Sequence, residues 1–148
     1  MDYMAKHTDE VVTSIRIPAQ AARSTYWKLR RRGAFDFPVL GVAAAIRFGN
    51  AGVVEEARVV LGAVASRPVI IDTSALMGNA LTDDVIEDFA AQASGPAKPL
   101  DNTDFHMSWR KEMARAYIAG ALRELRGDDP AVLGLIAARA THTIASVW

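Results

Sequence analysis

The residues best suited to chemistry lie close together in the first third of the chain: Lys28, Arg30, Arg31 and Arg32, then Phe35, Asp36 and Phe37. Guanidinium groups fork onto phosphate oxygens, and aromatic faces pack on flat heterocycles. A basic strand end with aromatics beside it can therefore bind phosphates and stack a planar ring. The same residue types also describe a solvated basic face or a protein contact, and on these residues alone both readings stay open.

Other chemistries find less support. The three histidines, His7, His106 and His142, lie far apart, and none has an HExxH-type neighbour, so no metal site is expected. Asp83, Asp84, Glu87 and Asp88 form an acidic group, but at a helix start such residues serve the helix dipole and solvent. No GxSxG turn presents a serine nucleophile, and cysteine is absent, which excludes thiolate catalysis and cysteine-held iron–sulfur or zinc sites. No residue is expected to be catalytic. Neither GxGxxG nor a Walker motif is present, so any dinucleotide pyrophosphate would have to be cradled by another polypeptide.

The 148 residues suit one domain, with 51% hydrophobic and 23% charged residues, as in a folded globular protein. A formal net charge of zero gives no long-range attraction to nucleic acid or to an anionic membrane, and neither is expected as a partner. No apolar run reaches the roughly 18 residues of a membrane span, and residues 1–10 are polar, so a cytoplasmic location is expected. The quick passage from Asp2, Tyr3 and Met4 into strand-like sequence suggests a chain that begins partway through a larger protein.

The elements that must position the basic and aromatic residues read as strands first and helices second. Residues 11–17 alternate, with Val11, Thr13, Ile15 and Ile17 opposed to Val12, Ser14 and Arg16, and Pro18 ends the run. Residues 24–31 are a second candidate strand. Residues 39–48 and 53–64 read as a hairpin around Gly49, Asn50, Ala51 and Gly52, where Gly and Asn tolerate positive φ. Residues 67–77 suggest a short helix ending at Gly78 and Asn79. Thr82 is a good N-cap for a helix that buries Val85, Ile86, Phe89 and Ala93 and stops at Gly95 and Pro96.

Ser108 can cap the longest helix, whose Trp109, Met113, Tyr117, Gly120, Ala121 and Leu125 recur at spacings of three and four, and Gly127 closes it. Trp27, Trp109 and Tyr117 read as core residues. After Asp128, Asp129 and Pro130, residues 131–140 suggest one more helix. The expected fold class is α+β: an antiparallel β-meander of three to four strands packed against about three helices. The expected divisions are an N-terminal arm over residues 1–8, a domain over 9–127 and a C-terminal extension over 128–148.

The order of several segments resembles a known family. Residues 9–18 (DEVVTSIRIP), Tyr26-Trp27-Lys28 with the following arginines, Asp36-Phe37, Gly41-Val42-Ala43, residues 53–68, Leu76-Met77-Gly78 and residues 109–114 (WRKEMA) look like the C-terminal domain of the FAD-carrying medium subunit of molybdenum hydroxylases. That family includes aerobic carbon monoxide dehydrogenases and xanthine dehydrogenases. The resemblance covers about residues 9–125 and implies an accessory electron-transfer role rather than a complete enzyme.

On this resemblance, FAD is the cofactor, bound only together with a separate flavin-holding domain whose glycine-rich loops hold the pyrophosphate. The partners are that domain, a molybdenum subunit and an iron–sulfur subunit. Phe37 would lie against or near the isoalloxazine ring, Asp36 would fix the turn or polarise the surroundings, and Lys28 or Arg32 would line the approach. The alternative is a stand-alone interaction module of the same fold without flavin function, which would self-associate as a homodimer.

Overall fold

A computed structural model of the chain describes residues 7–16, 19, 22–31, 37–99 and 105–129. Four antiparallel strands form one sheet in sequence order: β1 (Arg23–Leu29), β2 (Leu40–Phe48), β3 (Val54–Gly62) and β4 (Val69–Ile71). Two helices follow, α1 (Asp83–Ala93) and α2 (Met107–Arg126), and α2 packs on β1, β2 and α1. The α+β meander is thus the observed fold.

Alternation decides which face of the sheet is covered. Leu40, Val42, Ala44 and Ile46 of β2 are buried, as are Val59 and Leu61 of β3, because these positions share the side of the sheet that meets the helices. From the other side, Ile86, Phe89, Ile118 and Leu122 close the same core. β2 and β3 form the expected hairpin, with a register shift between Arg47 and Phe48. A single 3-10 turn over Asn50–Gly52 joins them, and the positive φ angles fall on Ala51 and Gly52, not on Asn50.

Several expectations need correction. Residues 11–16 carry a strand-like pattern but have no regular secondary structure, so the first strand of the meander is Arg23–Leu29. Residues 67–77 do not form a helix. Pro68 and the β-branched run Val69, Ile70, Ile71 favour an extended chain, which pairs with β3 as β4, and a 3-10 turn over Ser74–Leu76 follows. Ser108 does not cap α2. His106 occupies the cap position without a side-chain bond, and Ser108 already lies inside the helix. The helix expected over residues 131–140 lies outside the described residues.

α1 begins as its sequence requires. The Thr82 hydroxyl accepts the Val85 N–H at 3.3 Å, and Asp83 and Asp84 sit in the positively polarised first turn. Thr82→Ala is expected to lower stability by about 1 kcal/mol, seen as a lower denaturation midpoint with an unchanged slope. An unchanged midpoint would mean the cap contributes nothing.

Part of the acidic group does more than serve the dipole. Asp83 meets Arg126 at 3.0 Å, and Glu87 meets Arg123 at 2.8 Å and Arg115 at 3.2 Å, stitching α1 to α2 along its rim. These arginines hold both carboxyls below their ordinary pKa values, the largest cause being the hydrogen bond from Arg126 to Asp83 and from Arg123 to Glu87. The pairs are largely solvated, so they contribute orientation more than stability.

Candidate functional site

The site is built where β1 hands over to β2 and β3 hands over to β4. β1 ends at Leu29, whose carbonyl accepts the Val39 N–H at 2.8 Å, closing the loop that carries the basic and aromatic residues. Arg30 and Arg31 are exposed on leaving the strand. Phe37 stands 89% exposed just before β2 begins, an unusual place for a phenyl ring unless something covers it. Arg32 and Asp36 lie outside the described residues.

The loop is anchored from beneath by a residue that sequence reasoning missed. Arg110, in the first turn of α2, is only 4% exposed, and its Nη2 donates to the Val39 carbonyl at 2.9 Å and to the Ala63 carbonyl at 2.7 Å. One guanidinium therefore ties the end of the β1–β2 loop to the start of the β3–β4 loop. Ala63 takes a left-handed φ of 62°, which a non-glycine residue adopts only where its surroundings hold it. Burial pulls the Arg110 pKa below the usual arginine value. The signal in the sequence was its phase, since Arg110 shares a helical face with Met113, Ala114, Tyr117 and Ala121, all buried.

Behind the loop, Trp27 and Tyr117 meet edge to face with ring centroids 5.6 Å apart. Tyr117 is buried, and desolvation raises its pKa, with the charge of Arg30 opposing the shift. Trp27 packs partly buried against the core, and its indole N–H donates to Glu124 at 2.5 Å, with Thr25 donating to the same oxygen at 2.7 Å. Trp109 is partly buried and stacks on Phe105 at 5.1 Å. These aromatics are framework, as expected.

The face of the sheet away from the helices carries the rest of the site. Strand register aligns Lys28 of β1, Gly41 of β2 and Gly62 of β3 in one row, and Tyr26, Ala43 and Val60 in the next. Two adjacent glycines, buried Gly41 and half-buried Gly62, carry no side chain at this end of the face. A Cβ on Gly41 would come within 2.9 Å of the Tyr26 hydroxyl, so Tyr26 lies over that glycine, while a Cβ on Gly62 would meet only the Gly41 main chain at 3.9 Å. The structure thus places half-buried Lys28 beside a flat strip edged by Tyr26, on the same end of the sheet as the Phe37 loop. Such a row offers the Tyr26 ring and the Gly62 backbone to a flat group, with a cation alongside.

The opposite end of that face differs. A depression of about 340 Å³ is lined by Ala45, Arg47, Glu56 and Arg58, but Arg47 is paired to Glu55 and to Glu56, the latter at 2.8 Å. Neutralised in this way, it does not present a phosphate site. The N-terminus of α1 does not either, since it opens on Asp83 and Asp84, which repel anions. Among the described residues, no group of histidine, aspartate and glutamate is arranged to hold a metal ion, and no helix is long and apolar enough to cross a membrane.

Comparison with known proteins agrees with this fold. The glyceraldehyde dehydrogenase medium chain of Sulfolobus acidocaldarius is 27% identical over 119 residues, which is 78% of this chain and 42% of that one. Among solved structures, a carbon monoxide dehydrogenase from Hydrogenophaga pseudoflava, in a form lacking the Mo-pyranopterin moiety of its molybdenum cofactor, superposes with a TM-score of 0.65 at 25% identity, over 71% of this chain and 37% of the other. A reconstituted carbon monoxide dehydrogenase from Oligotropha carboxidovorans gives 0.69 at 21% identity, over 78% and 40%, and supports the fold. This chain therefore spans about two-fifths of the length of the relatives it matches. Residues 24–125, from the start of β1 to the last turn of α2, match the family of the CO dehydrogenase flavoprotein C-terminal domain, and the chain belongs to that family.

Proposed function

We propose that this domain completes the flavin environment of a molybdenum-hydroxylase FAD subunit and docks that subunit's flavin-holding part, together with a molybdenum and an iron–sulfur subunit, for electron transfer. The observation that carries the reading is the row of Lys28, Gly41 and Gly62, with the Tyr26 ring over Gly41, at the same end of the sheet as the exposed Phe37. Membership of a flavoprotein family and the short span relative to the matched chains support it.

The residues present fit one part of FAD and not the rest. The Tyr26 and Phe37 rings beside the Gly62 backbone suit the isoalloxazine, whereas the acidic first turn of α1 does not suit the pyrophosphate. When bound, FAD supplies the redox chemistry by which electrons leave such enzymes. In this reading Phe37 packs against the ring and excludes water from it, and Lys28 places a positive charge at its edge. Arg32 lines the approach, and Asp36 fixes the turn ahead of Phe37. Arg110, by holding the Val39 carbonyl, sets where that turn ends.

Phe37→Ala in the assembled flavoprotein is expected to weaken FAD binding roughly 3–10-fold, the worth of one aromatic contact, and to alter the flavin absorption spectrum. The side chain is exposed in this chain, so the variant should fold normally. Unchanged affinity, spectrum and reduction rate would remove Phe37 from the site.

A further inference from the structure

We propose that the C-terminal segment of this chain, residues 131–148, folds back over the open face of the sheet and covers Ala43, Val60 and Ile70. Strand register sets Tyr26, Ala43, Val60 and Ile70 in one row across all four strands. The two helices lie on the other side of the sheet, so no described element covers this row. Tyr26 turns its ring toward Gly41, while Ile70 stands 75% exposed beside half-buried Val60 and Ala43. An antiparallel sheet with one free face ordinarily sets polar residues there. Here the strip is apolar, and Ala45 extends it from Ala43 toward the depression bounded by Arg47, Glu56, Arg58 and Met77. Because β2 contributes only alanines at this level, the strip has a shallow floor with Val60 and Ile70 rising beside it.

The occupant is carried by the chain itself. Twelve of residues 131–148 are Ala, Val, Leu, Ile or Trp, and Arg139 is the one charged residue, a composition that favours burial over full exposure to water. The segment also starts at the right place. Arg126, in the last turn of α2, donates to the Leu81 carbonyl at 3.1 Å and pairs with Asp128 at 2.5 Å, which holds the outgoing chain close to the bridge between Ala80 and Val53. That is the end of the sheet where β2 gives way to β3 and where the depression opens. Length suffices as well. From Arg47 back to Ala43 the distance along a strand is about 13 Å, and about fourteen residues reach about 21 Å even as a helix, so the first few residues are free to round the rim. The segment lies beyond residues 24–125 of the family match and adds to the shared fold. The row of Lys28, Gly41 and Gly62 stays clear, so this cover and the proposed flavin contact do not exclude one another.

Cysteine is absent, so Ser146→Cys gives the full chain a unique thiol for a nitroxide label. In isotope-labelled protein the amide signals of Ala43, Val60 and Ile70 are expected to be lost to broadening, while those of the exposed Glu112 and Arg115 on α2 persist. Ile70→Lys leaves the fold and circular dichroism unchanged because that side chain is exposed, and it should restore the signals of Ala43 and Val60 by setting a charge against the apolar segment. Broadening centred on α2, broadening spread evenly over both faces, or none at all would overturn the proposal, as would a pattern that Ile70→Lys leaves unchanged. So would the same losses in isotope-labelled chain lacking the nitroxide, mixed with nitroxide-bearing chain of natural isotope content, because the covering segment would then come from a second copy.

Discussion

Gly120→Val is expected to destabilise the protein by about 3 kcal/mol or more, the upper range for overpacking a filled interior. Gly120 lies in α2 directly beneath the Trp27 indole, and a Cβ there would stand 2.5 Å from Cζ3 and 2.6 Å from Cη2 of that ring. No side-chain carbon fits at such a distance, so either the indole or the helix must move. The indole is held in place by its N–H bond to Glu124 and by its edge-to-face contact with Tyr117. Moving the helix would disturb Ile118 and Leu122, which are fully buried.

Gly120→Ala separates this contact from helix propensity, since alanine in a helix interior is favoured over glycine by about 1 kcal/mol. In the native protein the alanine variant is expected to be less stable despite that gain. In a Trp27→Leu background, where the ring is gone, the same change should be neutral or stabilising, and the difference between the two backgrounds measures the contact. Denaturant unfolding of the four proteins checks this, and a stabilising Gly120→Ala in the native background would refute the close approach.

Arg110→Met carries the second large effect. Methionine fills much of the same space but leaves the carbonyls of Val39 and Ala63 without the guanidinium donor that reaches both. The buried Val39 carbonyl left unsatisfied costs about 1–3 kcal/mol and the half-buried Ala63 carbonyl less, partly offset because a buried charge is removed as well. A net loss of about 2–4 kcal/mol is expected. The diagnostic result is local: amide exchange should rise in the β1–β2 and β3–β4 loops well before it rises in α1. Arg110→Lys keeps a charge but not the planar fork, so it should recover only part of the loss. Uniform loss of protection throughout the protein would show that Arg110 serves the core at large rather than these two loops.

What could be read in the sequence was whatever local pattern determines. The β2–β3 hairpin announced itself by apolar runs on either side of Gly49 and Gly52, α1 by Thr82 ahead of two aspartates, and α2 by apolar residues every three or four positions ended by Gly127. β4 was misread because three residues are too few to show a period, and only pairing with β3 makes them a strand. Residues 11–16 were misread in the opposite sense, since their alternation is real but no strand of the described sheet pairs with them.

The candidate site was half legible. Phe37 and Lys28 stood out by type, and the family resemblance suggested what they face. Arg110 was hidden because an arginine reads as solvent-exposed until its helical phase places it inward. The Lys28, Gly41 and Gly62 row was hidden because it exists only once register sets three strands side by side.

In the proposed role this chain supplies the ring side of a flavin site and not the pyrophosphate side. FAD titrated into the purified chain, read by flavin fluorescence and visible absorbance, and titrated again with a flavin-holding domain present as a separate polypeptide, tests it most directly. No binding by the chain alone is expected, and binding in the mixture should be tighter than that of the flavin-holding domain by itself. Stoichiometric FAD binding by the chain alone, or a mixture that behaves as the flavin-holding domain does without it, would contradict the claim.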